Sequence, residues 1–218
     1  MQFFENSTKL SEIDIKNIEP FGVLNRFKEG EAISATNTIF VILEGKIKIF
    51  ALHGDKKKTL AYLDKGEFFG EMSLSEDSDT TVCALALSAA VLLAVPRKSF
   101  KKAVISYPEL SFQFLKILSN KLRQADSEIE SLAFGSALSR IAKILFGFCQ
   151  KYGEKTDKGI LIKLNLSHQD LAELSGSVRE VVSRTLSKFY KLEILSASNG
   201  NILVKDIDKL KLTITQGS

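Results

Sequence analysis

Thiols and imidazoles are scarce in this chain. Cys83 and Cys149 are the only cysteines, and His53 and His168 the only histidines, in 218 residues. Two widely separated cysteines exclude a disulfide scaffold and any cluster that takes four thiolates from one chain. Two separated histidines are too few for the His-rich sites of many β-barrel metalloenzymes, so a cupin-like enzyme is not expected, nor any bound metal. Long apolar runs are missing as well. The stretch from Cys83 to Val95 is interrupted by Ser88 and stops at Pro96, short of the roughly 20 residues a membrane helix needs. The start, Met1-Gln2-Phe3-Phe4-Glu5, has no basic segment followed by an apolar one, so export by a signal peptide is not expected and the expected location is cytoplasmic. What remains is an ordinary globular balance, 44% hydrophobic and 26% charged, which excludes wholesale disorder. The length suits one large domain or two small ones.

Charge is unevenly spread. Residues 1–134 hold 17 Lys/Arg against 18 Asp/Glu, a balance of −1, whereas residues 135–218 hold 13 against 8, a balance of +5. A basic module joined to a neutral one suggests a polyanion partner for the C-terminal part. Solvated lysine-rich helix faces would give the same count.

From Phe21 to Phe100 the pattern is that of short strands. Ile39–Leu43 and Lys46–Phe50 meet at Glu44-Gly45, and the second alternates basic with apolar residues. Turn signals at His53-Gly54-Asp55 and Asp64-Lys65-Gly66 flank Thr59–Leu63 and lead into Phe68-Phe69-Gly70, and Thr81–Leu87 with Ala90–Val95 make a last pair. Short strands at regular turn spacing predict a sandwich or jelly roll over residues 1–105. After Pro108 the period changes. Leu115, Leu118, Leu122, Ala125, Ile129 and Leu132 are spaced 3, 4, 3, 4, 3, the seam of a coiled coil, so residues 106–134 are expected to form a dimerisation helix. A helix packed along its own domain usually shows a wider apolar stripe.

Ser136 is placed to cap a helix over Ala137–Tyr152. Gly153–Gly159 reads as a polar loop, and Ile160–Leu166 as a short strand. Ser167-His168-Gln169-Asp170 opens a helix that ends at Ser175-Gly176, and another runs from Ser177 to about Tyr190. Two helices joined by a tight Gly turn make a helix-turn-helix, and a hairpin signal at Asn199-Gly200 adds the wing. Residues 135–218 are therefore expected to be a winged helix, and the whole chain α+β.

On the second helix Val182, Leu186 and Phe189 fall on one side and Arg179, Glu180, Ser183, Arg184 and Lys188 on the other. Arginine offers a fork of donors to guanine O6 and N7, and glutamate accepts from cytosine N4, so the stripe has the chemistry of base reading in the major groove. An i, i+4 surface ion pair between Glu180 and Arg184 is the alternative reading, worth about 0.3–0.5 kcal/mol.

With these residues in view the chain resembles the Crp–Fnr family of bacterial transcription regulators over nearly its whole length. Three stretches carry the likeness: Gly66-Glu67-Phe68-Phe69-Gly70-Glu71-Met72-Ser73-Leu74; Leu132-Ala133-Phe134 followed by Arg140-Ile141-Ala142; and Leu166 to Phe189 with Gln169-Asp170-Leu171-Ala172 and Arg179-Glu180-x-x-Ser183-Arg184. The resemblance implies no enzyme but a homodimer on double-stranded promoter DNA at a palindromic site with TGTGA- or TTGAT-type half-sites. It also implies contact with RNA polymerase if the protein activates, with 153–158 similar in place to a polymerase-contacting surface. Arg179, Glu180, Ser183 and Arg184 inherit the base-reading roles. Val178 and Val181 stand where relatives often carry phosphate-binding hydroxyls, which leaves Lys188, His168 and Gln169 as phosphate contacts.

The same resemblance implies an effector pocket from Phe69, Gly70, Glu71, Thr80 and Thr81 of the β-roll with Ala125 and Asp126 of the dimer helix. Cyclic-nucleotide members hold the phosphate with an Arg before a Ser or Thr. Here the dipeptide is Thr80-Thr81, and burying an anion without a cation is costly. Ala125 cannot hydrogen-bond, so cyclic AMP is not the expected ligand and Glu71 reads as a structural acceptor. No iron–sulfur cluster is expected, since no cysteine precedes Phe21. Haem is left open, with His53 preferred as a turn residue, and the two cysteines sit in apolar settings that do not favour a reactive thiolate. A cyclic-nucleotide-binding regulator acting on a protein partner is the alternative function, and it leaves the Arg179–Glu180–Arg184 stripe unexplained.

Overall fold

Ile39 and Val41 face one side of β3 (Thr38–Glu44), Phe40 and Ile42 the other, and all four are buried. A strand buried on both faces belongs in the middle of a layered structure. In the computed structural model, which describes residues 9–53, 56–74, 82–198 and 200–216, β3 lies between β8 (Ala90–Pro96) and β6 (Phe68–Phe69), and β1 (Val23–Phe27) pairs with the far edge of β8. The second sheet has the order β2–β7–β4–β5, from β2 (Ala32–Ile33), β7 (Val82–Ala86), β4 (Ile47–His53) and β5 (Lys56–Leu63). Phe40, Ile42, Phe69 and Leu92 meet Ile33, Ile47 and Ile49 between the two sheets, with the Phe40 and Phe69 rings stacked at 5.2 Å. The outer face of the first sheet (Ile39, Val41, Phe68, Leu93, Val95) is covered by Ile18, Ala103, Leu110, Phe114 and Ile117. These come from helices α1 (Glu12–Ile18), α2 (Arg97–Ser106) and α3 (Pro108–Phe134).

The β-roll departs from the sequence reading in its partners. The strands that meet at Gly45 belong to different sheets, and so do β7 and β8, which therefore are not a pair. Alternation tells which side of a strand is buried but not which strand lies beside it. Gly45 makes the sheet change possible: its φ is +90°, and a Cβ there would lie 2.6 Å from the Ala89 carbonyl oxygen. His53 closes β4 in register with Lys56 rather than sitting in a turn, and residues 54 and 55 lie outside the described residues.

Compact units span Asn6–Arg123 and run from Gln124 onward, with the boundary inside α3. In the first unit α3 buries Leu110, Phe114 and Ile117. Leu115 and Leu122 lie away from that face and are 61% and 64% exposed, as Ile129 is (64%) further along the same helix. Leu132 and Ala125 are exposed too. Leu118, expected in the dimer seam, is instead half-buried against the core of its own unit, where the helix side toward Phe114 continues. Phe112, 71% exposed, is an apolar residue on the open side that the seam spacing did not include.

In the second unit α4 (Ala137–Tyr152) starts as expected, with the Ser136 hydroxyl accepting the Ser139 N–H at 3.1 Å. The expected loop 153–158 is largely a hairpin of β9 (Gly153–Thr156) and β10 (Gly159–Ile162), closed by bonds from the Thr156 hydroxyl to the Gly159 carbonyl and from the Lys158 N–H to the Thr156 hydroxyl. Its polar residues hide it, because both faces of β9 are exposed. The strand expected to reach Leu166 ends at Ile162. Helices α5 (His168–Ser175) and α6 (Arg179–Lys191) follow, then β11 (Leu195–Ser198) and β12 (Asn201–Val204), paired antiparallel with Ser198 opposite Asn201. Asn199 itself is outside the described residues. The sheet order is β11–β12–β10–β9, and α7 (Ile207–Gln216) closes the chain.

Candidate nucleic-acid interface

Ser167 builds the start of α5. Its hydroxyl accepts the Asp170 N–H at 3.0 Å, and the Asp170 carboxylate accepts the Ser167 N–H and O–H at 3.0 and 2.6 Å, a reciprocal capping box. Gly176 ends the helix at φ +58°, a left-handed conformation that permits the tight turn. The next helix begins at Arg179, two residues later than the sequence suggests, with Val178 as a cap that offers no side-chain bond.

α6 has two sharply different sides. Val182, Leu186 and Phe189 are at most 1% exposed, and Thr185 is buried beside them. Arg179, Glu180, Arg184, Ser187, Lys188 and Lys191 are exposed, and Ser183 is half-buried. Among the described residues no ion pair engages Arg179, Glu180 or Arg184, so the surface bridge considered above is not formed. Ser183, Arg184, Ser187, Lys188 and Lys191 line an open depression of about 420 Å³. Ser187 and Lys191 escaped the sequence reading, although their i+3 and i+7 spacing from Arg184 marks the same face. At the front of α5, His168 and Gln169 are exposed. Gln169 donates to Glu173 at 3.4 Å, and His168 Nδ1 lies 2.8 Å from Ser183 Oγ. Two residues expected to act separately on DNA are thus joined to each other.

Side chains of α4 hold the turn in place. Arg140 donates from Nε to the Ser175 carbonyl and from Nη1 to the Gly135 carbonyl, both at 2.7 Å. Lys143 Nζ donates to the Ser127 carbonyl (3.0 Å) and to the hydroxyls of Ser127 (2.8 Å) and Ser131 (2.6 Å). Burial holds the Lys143 ammonium below the ordinary lysine range, against the pull of Glu128 and Glu130.

In the other unit, Gly70 has φ +89° and no room for a side chain against the Thr38 carbonyl. Phe69 lies in the roll interior. Glu71 accepts from Lys121 Nζ at 2.8 Å, and the same ammonium donates to the Phe68 carbonyl at 3.1 Å and stands 4.5 Å from the centre of the Phe68 ring. Lys121 was not foreseen; it extends the buried row Leu110–Phe114–Ile117 by one turn. Thr80 and Thr81 lie outside the described residues, and Ala125 and Asp126 are exposed on α3. Cys83 is half-buried, and Cys149 is buried with its thiol pushed up to about 12 by desolvation. Among the described residues no group of three His, Cys, Asp or Glu could hold a metal ion, and no helix is long and apolar enough to cross a membrane.

Residues 26–107 match the cyclic nucleotide-binding domain family and residues 139–213 the Crp-like helix-turn-helix domain family. The chain is 30% identical to the Cyclic AMP receptor protein of Thermus thermophilus over 169 residues, 77% of this chain and 75% of that one. It is 32% identical to the Global nitrogen regulator of a Nostoc species, over 76% of each chain. Among solved structures, a CooA variant from Carboxydothermus hydrogenoformans superposes with a TM-score of 0.80 at 25% identity, covering 97% of this chain and 98% of that one.

Proposed function

Since the chain belongs to the Crp–Fnr family of DNA-binding transcription regulators, we propose that it acts as a homodimer that places one α6 in the major groove of each half of a palindromic promoter site. The observation that carries this reading is the exposed set Arg179, Glu180 and Arg184, without ion-pair partners among the described residues, on a helix whose other face is fully buried. Arg179 and Arg184 are assigned to guanine O6 and N7, Glu180 to cytosine N4 and Ser183 to a neighbouring base. Lys188, His168 and Gln169 are assigned to phosphates, which fix register without carrying sequence. The half-sites are of TGTGA or TTGAT type, and the hairpin at residues 153–162 is assigned to polymerase contact where the protein activates.

Dimerisation is assigned to α3. Leu115, Leu122 and Ile129 recur every seven residues and expose apolar surface that a second copy would cover. Residues 1–105 are assigned to effector sensing, 106–134 to pairing and 135–218 to DNA. An effector other than cyclic AMP is favoured by Thr80 in place of a cation and by Glu71, whose carboxylate is already engaged by Lys121.

The test is fluorescence anisotropy on a palindromic duplex whose half-sites lie one helical turn apart, against a scrambled duplex. Wild type is expected to prefer the palindrome and Arg184→Ala to lose that preference while remaining dimeric in sedimentation, with cyclic AMP changing neither. Equal binding to both duplexes at low salt would overturn the assignment.

A further inference from the structure

Ser183 differs from the other side chains of the reading face because its hydroxyl is already engaged, 2.8 Å from His168 Nδ1. Both ends of that contact are fixed. His168 is the first residue of α5, held by the Ser167–Asp170 capping box, and Ser183 follows buried Val182 in α6. Ser183 is half-buried while His168 is exposed, so the ring has solvent on its other side.

The donor arithmetic of this pair is restrictive. A neutral imidazole has one donor nitrogen and one acceptor nitrogen. A DNA phosphate offers acceptors only. If Nε2 donates to a phosphate, Nδ1 must be the acceptor, and the Ser183 O–H then points at His168. What Ser183 presents to the groove is lone pairs. In the major groove those are matched by the amino groups of cytosine N4 or adenine N6, and opposed by guanine O6 and thymine O4.

We propose that His168 is a positioning residue that fixes Ser183 as a hydrogen-bond acceptor, so that the base facing Ser183 is adenine or cytosine. The proposal rests on the reading of α6 as the recognition helix. It assigns specificity to a residue of the first helix that touches no base.

The experiment is affinity selection from duplexes randomised across each half-site, followed by sequencing, at pH 8. It compares wild type, His168→Arg, Ser183→Ala and the double variant. Arginine keeps a donor for the phosphate but carries donors only, so it cannot accept the Ser183 hydroxyl. In His168→Arg the adenine or cytosine preference at one position is expected to fall about three- to tenfold relative to the other positions of the half-site, whatever the change in overall affinity. Ser183→Ala should remove the same preference, with His168→Arg adding nothing further in the double variant. An unchanged base profile in His168→Arg overturns the proposal, and so does a guanine or thymine preference at the Ser183-dependent position. Failure of the recognition-helix reading looks different: the wild type would then enrich no half-site at all.

Discussion

Arg179 and Arg184 can only donate, and Glu180 can only accept, so the exposed face of α6 carries complementary chemistry within one and a half helical turns. Glu180→Ala removes the acceptor without touching the buried side. It is expected to relax preference at a single base pair by about 1–3 kcal/mol, seen as a flattened column in a competition assay over single-base variants of the half-site. An unaltered profile would leave Glu180 without a reading role. Cys149 supports a prediction about stability. Its folded thiol titrates near 12 against an ordinary value of 9.0, so between those values the unfolded chain loses a proton that the folded chain keeps. Stability contributed by the buried thiol is therefore present below pH 9 and declines as pH rises toward 12, by at most about 1.4 kcal/mol per pH unit. Urea unfolding at pH 8 and pH 10.5 should show a steeper alkaline loss in wild type than in Cys149→Ala.

At the level of elements, the helix-turn-helix was legible because local chemistry writes it. Ser167-x-x-Asp170 is a cap, Gly176 a stop, and Val182, Leu186 and Phe189 a core stripe, all within short sequence distance. The same local signal was present and unread for α1, where Ser11 and Asp14 form a capping box, and for α7, where the Lys209 N–H bonds Asp206 Oδ1 at 2.9 Å. The Lys209 backbone bond also holds the Asp206 carboxyl below the usual carboxylate range. Strand partners were not legible, since β7 and β8 are adjacent in sequence yet join sheets assembled from distant segments. Side-chain ties across the fold were hidden for the same reason, among them Lys121 to Glu71 and Arg140 to Ser175. Arg140 spans 35 residues to reach the carbonyl at the end of α5, and its second bond fixes the Gly135 carbonyl between α3 and α4. Arg140→Ala leaves both carbonyls short of a charged donor. It is expected to cost about 1.5–3 kcal/mol in thermal unfolding. The Ser177 amide, bonded to the Ala172 carbonyl in the turn, should exchange faster with solvent. Equal exchange in the two proteins would show that the turn holds without Arg140.

For the whole molecule, the proposed roles, DNA binding by the C-terminal part and pairing by α3, rest on the charge balance of −1 over residues 1–134 against +5 over residues 135–218 and on the exposed leucines and isoleucine of α3. The two roles are separable by substitution. Leu122 and Ile129 are each 64% exposed, so Leu122→Asp with Ile129→Asp removes no packing within the chain's own core, and the variant should keep the helical content of wild type in circular dichroism. Two carboxylates facing two more across a two-fold axis would oppose pairing. The variant is expected to sediment as a monomer. Salt dependence then reports how many phosphates each species engages, because the slope of log affinity against log salt scales with the charges neutralised, about 0.9 per phosphate. A monomer presents one α6 where a dimer presents two, so its slope should be about half that of wild type, and its discrimination between a full palindrome and a single half-site should vanish. A variant that stays dimeric would move the pairing surface off this stripe, and an undiminished slope in a true monomer would mean that one copy makes all the phosphate contacts.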